Sequence, residues 1–132
     1  MSIAITDDLR ELHDVAVAFL ERADAAKFAH SLLGTEQEPL PPYWHKMAGL
    51  GWLGLHVAEE YGGAGYGLPE LVVVLEAMGR CSAAGPFLPT VWTSAVLVAA
   101  GDEQQRQKLL PGLVDGSPVS YTHLTLPTKR IV

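Results

Sequence analysis

Cysteine is nearly absent. Cys81 is the single thiol in 132 residues, so no internal disulfide can form, and a reducing cytoplasm is the simplest setting. A lone thiol is a nucleophile only with a base and an anion hole beside it. Nothing around Cys81 supplies either, and it reads as a small core or helix-end residue. Positive charge is scarce as well: 9 Lys and Arg stand against 15 Asp and Glu, a formal net charge of −6. That balance argues against nucleic acid or an anionic membrane as the main partner and fits a role in solubility. Long apolar runs are missing. The longest, residues 71–75 and 95–101, fall far short of the ~20 residues a bilayer span needs. Residues 1–8 lack a basic start followed by an apolar run, so no secretory leader is expected.

What is present is enough apolar material for a core, 48% of residues, and little charge, 18%. Thr6-Asp7-Asp8 is a helix start: a hydroxyl to cap free N–H groups and two acids at the positive end of the helix dipole. Leu9, Leu12, Ala16, Phe19, Leu20 and Ala23 recur at spacings of three and four, which predicts an amphipathic helix to about residue 26. Residues 34–42 lose the periodicity and carry Pro39, Pro41 and Pro42, the mark of a surface linker. Pro42 suits the first position of a short helix with Trp44, Met47 and Ala48 inward. A run at 53–57 then enters Glu59-Glu60-Tyr61-Gly62-Gly63-Ala64-Gly65-Tyr66-Gly67.

Pro69 and Glu70 restart a helix. Val72-Val73-Val74 favours strand by propensity, yet the start signals and the length of the pattern predict helix. Residues 90–100 are apolar nearly all round apart from Thr90, Thr93 and Ser94, which predicts a helix buried on most sides. Gly101 is its cap. Asp102 and Gln105 have the spacing of a capping box. The helix after them turns Leu109, Leu110 and Leu113 inward, with Pro111 expected to kink or split it. The outcome is an all-α chain of five to six helices, with no internal repeat.

The chemistry-bearing residues do not converge. The glycine loop matches neither the G-x-G-x-x-G dinucleotide fingerprint nor a Walker loop, and a tight connector is the simpler reading. Glu59 and Glu60 are adjacent and point apart, a poor acid–base pair. His13, His30, His45, His56 and His123 have no metal-ligand spacing, and Ser82, Ser94 and Ser117 have no hydrolase elbow. No residue is a candidate catalyst, cofactor ligand or metal ligand.

One ordered set goes further: Trp44…Met47-Ala48-Gly49-Leu50-Gly51-Trp52-Leu53-Gly54-Leu55, then Val57-Ala58-Glu59-Glu60-Tyr61-Gly62-Gly63, then Leu75-Glu76-Ala77-Met78-Gly79-Arg80, then Gly101-Asp102-Glu103-Gln104-Gln105 through Leu113. Its order and spacing resemble the amino-terminal domain of acyl-CoA dehydrogenases. The usual Pro-Glu-Glu-Tyr-Gly-Gly has Ala58 for the proline, a departure that would loosen the loop entry. The resemblance implies an orthogonal or up-down helical bundle over residues 1–118, with the family's middle β-domain and carboxy-terminal bundle absent. It also implies FAD as cofactor, an acyl-CoA thioester as substrate, an electron-transfer acceptor, and a homo- or hetero-oligomer. In that chemistry a carboxylate removes the α-proton as the β-hydrogen leaves as hydride to the flavin, giving a trans-2-enoyl-CoA. The base and most flavin contacts belong to later segments, so this portion alone would be inactive.

The family's helical domain walls the acyl-chain pocket. Here the matching helix is about residues 87–100, and Leu88, Val91, Trp92 and Ala95 share one face at i, i+3, i+4 and i+7. They are the candidate pocket wall, with Trp92 bulky enough to shorten it; inter-helix core is the equal alternative. A non-catalytic helical interaction module, or a partner subunit without a competent base, are the rival functions. Residues 119–132 break with the helical composition and resemble a sequencing adaptor translated in frame. They are read as non-native, and Tyr121 and His123 as without functional weight.

Overall fold

The structure is a computed structural model that describes residues 4–117; the reading of 119–132 as an adaptor lies outside the described residues. Six α-helices and no strand are found among them: α1 Asp7–Arg22, α2 Ala25–Ser31, α3 Trp44–Gly49, α4 Leu68–Arg80, α5 Phe87–Ala100 and α6 Glu103–Val114. Short 3₁₀ turns occupy Trp52–Gly54 and Glu59–Tyr61. The all-α expectation holds. Contacts divide the described chain into two compact units, one from residues 4–43 and 68–85, the other from 44–67 and 86–117.

In the first unit α1 packs along α4. The Thr6 hydroxyl accepts from the Leu9 N–H at 3.3 Å, and Asp7 and Asp8 fill the first turn, as the sequence predicts. Leu9, Ala16 and Leu20 are buried from α1, and Leu71, Val74, Ala77 and Met78 from α4. The valine run is thus helical, because a buried stripe at helical spacing outweighs the strand propensity of three β-branched residues. His13 bonds to Glu76 between the two helices. The first helix stops at Arg22, earlier than the predicted residue 26. Asp24 takes the left-handed conformation at φ 52, and α2 restarts behind it. Tyr43 closes this unit: its hydroxyl donates to the Ala84 carbonyl at 2.8 Å, and its ring meets Phe28 edge-on at 6.2 Å.

In the second unit Val57, Tyr61, Leu110, Leu113 and Val114 form a core cluster, with Leu97 packed against it. The Asp102–Gln105 capping box is present in both directions, at 2.8 and 3.0 Å. Pro111 does not split α6, which runs through it to Val114. The buried Leu110, Leu113 and Val114 lie around and beyond the proline, and their packing offsets the one hydrogen bond it removes. Trp44 is buried and donates its indole N–H to the Gly116 carbonyl at 2.8 Å.

Candidate functional site

The glycine loop is built by its own backbone. Gly62 sits at φ 90, a left-handed position that an L side chain resists. Gly63 serves a different purpose. A Cβ there would lie 2.0 Å from the Val57 carbonyl oxygen, so only a hydrogen fits. A Cβ on Gly54 would meet Val114 at 2.7 Å and the Gly63 Cα at 3.2 Å. The loop N–H groups are consumed: Gly63 donates to Ala58 at 3.1 Å, Ala64 to Gly54 at 2.9 Å, Gly65 to Val57 at 2.9 Å and Tyr66 to Leu55 at 2.8 Å. A phosphate cradle needs such N–H groups free. The loop is the tight connector expected from its sequence, and it offers no place for a nucleotide. Ala58, standing where the family pattern has proline, keeps a proline-like φ of −62. The Tyr61 hydroxyl donates to Glu103 at 2.8 and 2.9 Å, and that bond raises its pKa above the ordinary tyrosine value.

Helix α5 is inverted over part of its surface: Thr90 and Ser94 are buried and large apolar residues are exposed, although Phe87 and Val91 face the core and Thr93 faces out. Its buried residues are Phe87, Thr90, Val91 and Ser94; its exposed ones include Leu88, Trp92, Val96 and Val98. Two hydroxyls face inward because the helix satisfies them itself. Thr90 Oγ1 donates to the Pro86 carbonyl at 2.6 Å, and Ser94 Oγ donates to the Val91 carbonyl at 2.9 Å. Ser94 is also bonded to His56 Nε2 at 2.9 Å. The far end of α5 is held by Arg106, whose Nε donates to the Leu97 carbonyl at 3.2 Å and Nη2 to that of Val98 at 3.0 Å. Gly101 caps it with an extended backbone, φ −72 and ψ 152, and a Cβ there would strike the Leu97 carbonyl at 2.6 Å.

The expectation that α5 is buried on most sides is therefore corrected. Its outer stripe is open, with Trp92 at 66% and Leu88 at 51% exposure. Of the four candidate wall residues, Leu88 and Trp92 lie on this stripe, Ala95 is half-buried, and Val91, 1% exposed, turns into the core. Val91 sits three residues from Leu88, enough rotation to carry it over the helix edge.

The other chemistry-bearing residues stay apart. Glu59, Glu60, His30 and His45 are exposed. Cys81 follows the end of α4, and burial pushes its thiol pKa up, away from thiolate chemistry. No group of three His, Cys, Asp or Glu able to hold a metal occurs among the described residues, and none of their helices is long and apolar enough to cross a membrane. An open cleft of about 460 Å³ in the first unit is lined by Glu21, Asp24, Lys27, Arg80 and Cys81 among others, and takes in none of the candidate wall residues. The His56–Ser94 bond joins residues 38 apart and has no sequence signal.

The described residues thus combine helices, a self-closed glycine loop and an exposed apolar stripe on α5. Residues 6–117 match the family model described as acyl-CoA dehydrogenase, N-terminal domain. The chain belongs to the acyl-CoA dehydrogenase family. It is 29% identical over 126 residues to the mitochondrial isovaleryl-CoA dehydrogenase of Pongo abelii, covering 93% of this chain and 30% of that protein. It is 36% identical over 89 residues to acyl-CoA dehydrogenase FadE12 of Mycobacterium tuberculosis, covering 64% and 22%. Among solved structures, a Tcur3481-Tcur3483 steroid ACAD variant superposes with a TM-score of 0.71 at 33% identity, over 84% of this chain and 30% of that one. The ChsE4-ChsE5 complex of Mycobacterium tuberculosis gives 0.67 at 23% identity, over 89% and 30%, a likeness of fold. The chain thus spans about 30% or less of the length of these relatives.

Proposed function

We propose that this chain is the amino-terminal helical domain of an FAD-dependent acyl-CoA dehydrogenase. The reaction would be α,β-dehydrogenation of an acyl-CoA thioester to a trans-2-enoyl-CoA, in a reducing compartment. The domain's part in that reaction is to exclude water from the acyl chain and to limit its length. Leu88, Trp92 and Ala95 form the wall, and Val91 backs them from the core. The observation that carries this reading is the outer stripe of α5: Leu88, Trp92, Val96 and Val98 stand exposed while Thr90 and Ser94 are buried on the other side with Phe87 and Val91. Such a stripe is costly in water and is retained where a ligand or partner covers it.

The glycine loop does not fit the pyrophosphate of a flavin: it has used its own N–H groups, and nearby Arg106 is engaged by α5 carbonyls. FAD, the catalytic carboxylate and the contacts to an electron-transfer acceptor are assigned to segments other than 4–117.

A second reading has support from the two solved structures, which carry paired names, ChsE4-ChsE5 and Tcur3481-Tcur3483. In that reading this domain belongs to a partner subunit of a hetero-oligomer that lacks a competent base.

Two measurements test the proposal. The purified 132-residue chain should carry no stoichiometric flavin absorbance; a full complement of bound FAD would overturn the assignment of the cofactor site. In the full-length dehydrogenase, Trp92→Ala should move the preference in kcat/KM toward longer acyl-CoA substrates. An unchanged chain-length profile would remove Trp92 from the pocket, and absence of turnover in the unmutated protein would favour the partner-subunit reading.

A further inference from the structure

The second unit holds an imidazole that neither the loop nor the apolar stripe explains. His56 lies between the two 3₁₀ turns and reaches Ser94 on α5 at 2.9 Å. Ser94 is wholly buried and has one hydroxyl proton, which goes to the Val91 carbonyl at 2.9 Å. With that proton on the carbonyl the Ser94 oxygen accepts from the imidazole, which assigns the hydrogen to Nε2; the reverse tautomer would leave an N–H donor unpaired at the buried Nδ1. The Nε2–H tautomer leaves Nδ1 as a bare lone pair. It is sealed from solvent and has no hydrogen-bond partner among the described residues.

The electrical surroundings are plain. Helix α5 from Phe87 to Ala100 carries no ionisable side chain. Of the charged or titratable groups on the neighbouring elements, Glu103 and Arg106 of α6 are committed to Tyr61 and to the α5 carbonyls, and Lys108 of α6, His45 and Lys46 of α3, and Glu59 and Glu60 of the adjoining 3₁₀ turn are exposed. None forms an ion pair with His56. Burial lowers its pKa below the ordinary 6.5, with the Val91 carbonyl opposing the shift.

We propose that His56 is a positioning residue for α5: as the neutral Nε2–H tautomer it clamps Ser94 and so fixes which side of the helix Leu88 and Trp92 present, and a proton taken up at Nδ1 releases the clamp. The protonated ring would bury a donor with no acceptor at Nδ1, a cost of about 1–3 kcal/mol before the charge itself is counted. The relief is for the imidazole to swing toward water and surrender Ser94. The consequence for acyl binding rests on the pocket-wall reading of α5; the clamp itself does not.

The test uses the full chain and no acyl ligand, so its failure is separate from failure of that reading. NMR of the imidazole nitrogens at neutral pH should show the Nε2–H tautomer. On acidification the Trp92 indole N–H resonance should move with a midpoint below 6.5, and quenching of Trp92 should change with it. His56→Gln keeps a donor for Ser94 and cannot titrate there, so its Trp92 profile should be flat across the same range. His56→Leu should show at neutral pH the Trp92 position that the unmutated chain reaches only in acid. An Nδ1–H tautomer, a Trp92 pH profile identical in the unmutated and His56→Gln chains, or a profile with its midpoint at 6.5 or above would overturn the proposal. The tautomer and the His56→Gln profile decide the matter even where His56→Leu does not fold.

Discussion

Two glycines in this chain look alike on paper and differ completely in what surrounds them. Gly63 faces the Val57 backbone with no room for a methyl group, whereas Gly79, on the exposed side of α4, meets nothing within 4 Å. Gly63→Ala should cost about 3 kcal/mol, since the clash is with main chain and cannot be relieved by a rotamer. Gly79→Ala should stabilise by about 0.5–1 kcal/mol, because the helix gains by restricting the unfolded chain. Urea unfolding of the two variants checks both signs, and a neutral Gly63→Ala would mean that the loop is not closed as described. The Tyr-Gly-Gly signature is thereby resolved into parts: one glycine for a backbone angle, the next for an approach distance.

At the scale of the element, α5 shows that a helix can be apolar on both faces and still bury two of its hydroxyls. Val91 and Trp92 are neighbours in sequence, one in the core and one in solvent. Val91→Ala should lower stability by about 2 kcal/mol, while Trp92→Lys should change it by less than about 0.5 kcal/mol. Trp92→Lys should also reduce concentration-dependent self-association, measured by sedimentation velocity, since it breaks the exposed stripe. Equal unfolding losses from both substitutions would contradict the inversion. Composition could not reveal this arrangement. Thr90 and Ser94 look like the polar side of the helix until their hydroxyls are seen to be spent on the Pro86 and Val91 carbonyls.

For the whole molecule, buried Tyr43 and half-buried His56 each contribute one limb of the pH dependence, with Tyr61 and Cys81, both also raised, adding to the alkaline side. Tyr43 is raised above its ordinary 10.0 by burial, against the Ala84 carbonyl that its hydroxyl meets. The folded state therefore binds that proton more tightly than the unfolded state, and stability falls as pH rises above 10.0. His56 is lowered, so the unfolded state takes up its proton first, and stability falls as pH drops from 6.5 toward the lowered value. Melting temperature against pH should be level between these limits as far as Tyr43 and His56 act. Tyr43→Phe should remove the Tyr43 part of the alkaline limb; persistence of an equal alkaline loss would assign it elsewhere. Helix count, the Thr6 cap, the capping box at Asp102 and the connector loop were legible in the sequence, because each depends on residues close along the chain. The break at Asp24, the continuity through Pro111 and the inversion of α5 were not, because packing from distant residues decides them. The same holds for the division into two units, one of which joins α1 to α4 across 45 intervening residues (23–67).

The two grips on α5 differ in kind. Arg106 holds the Leu97 and Val98 carbonyls with a charge that no accessible pH removes. His56 holds Ser94 with a bond that one proton can undo. If the second grip is lost, the first remains, and the helix is left pinned at its C-terminal end. The N-terminal half keeps its buried Phe87 and Val91, so release of Ser94 would loosen the middle of the helix, where Trp92 stands, rather than free the end that carries Leu88.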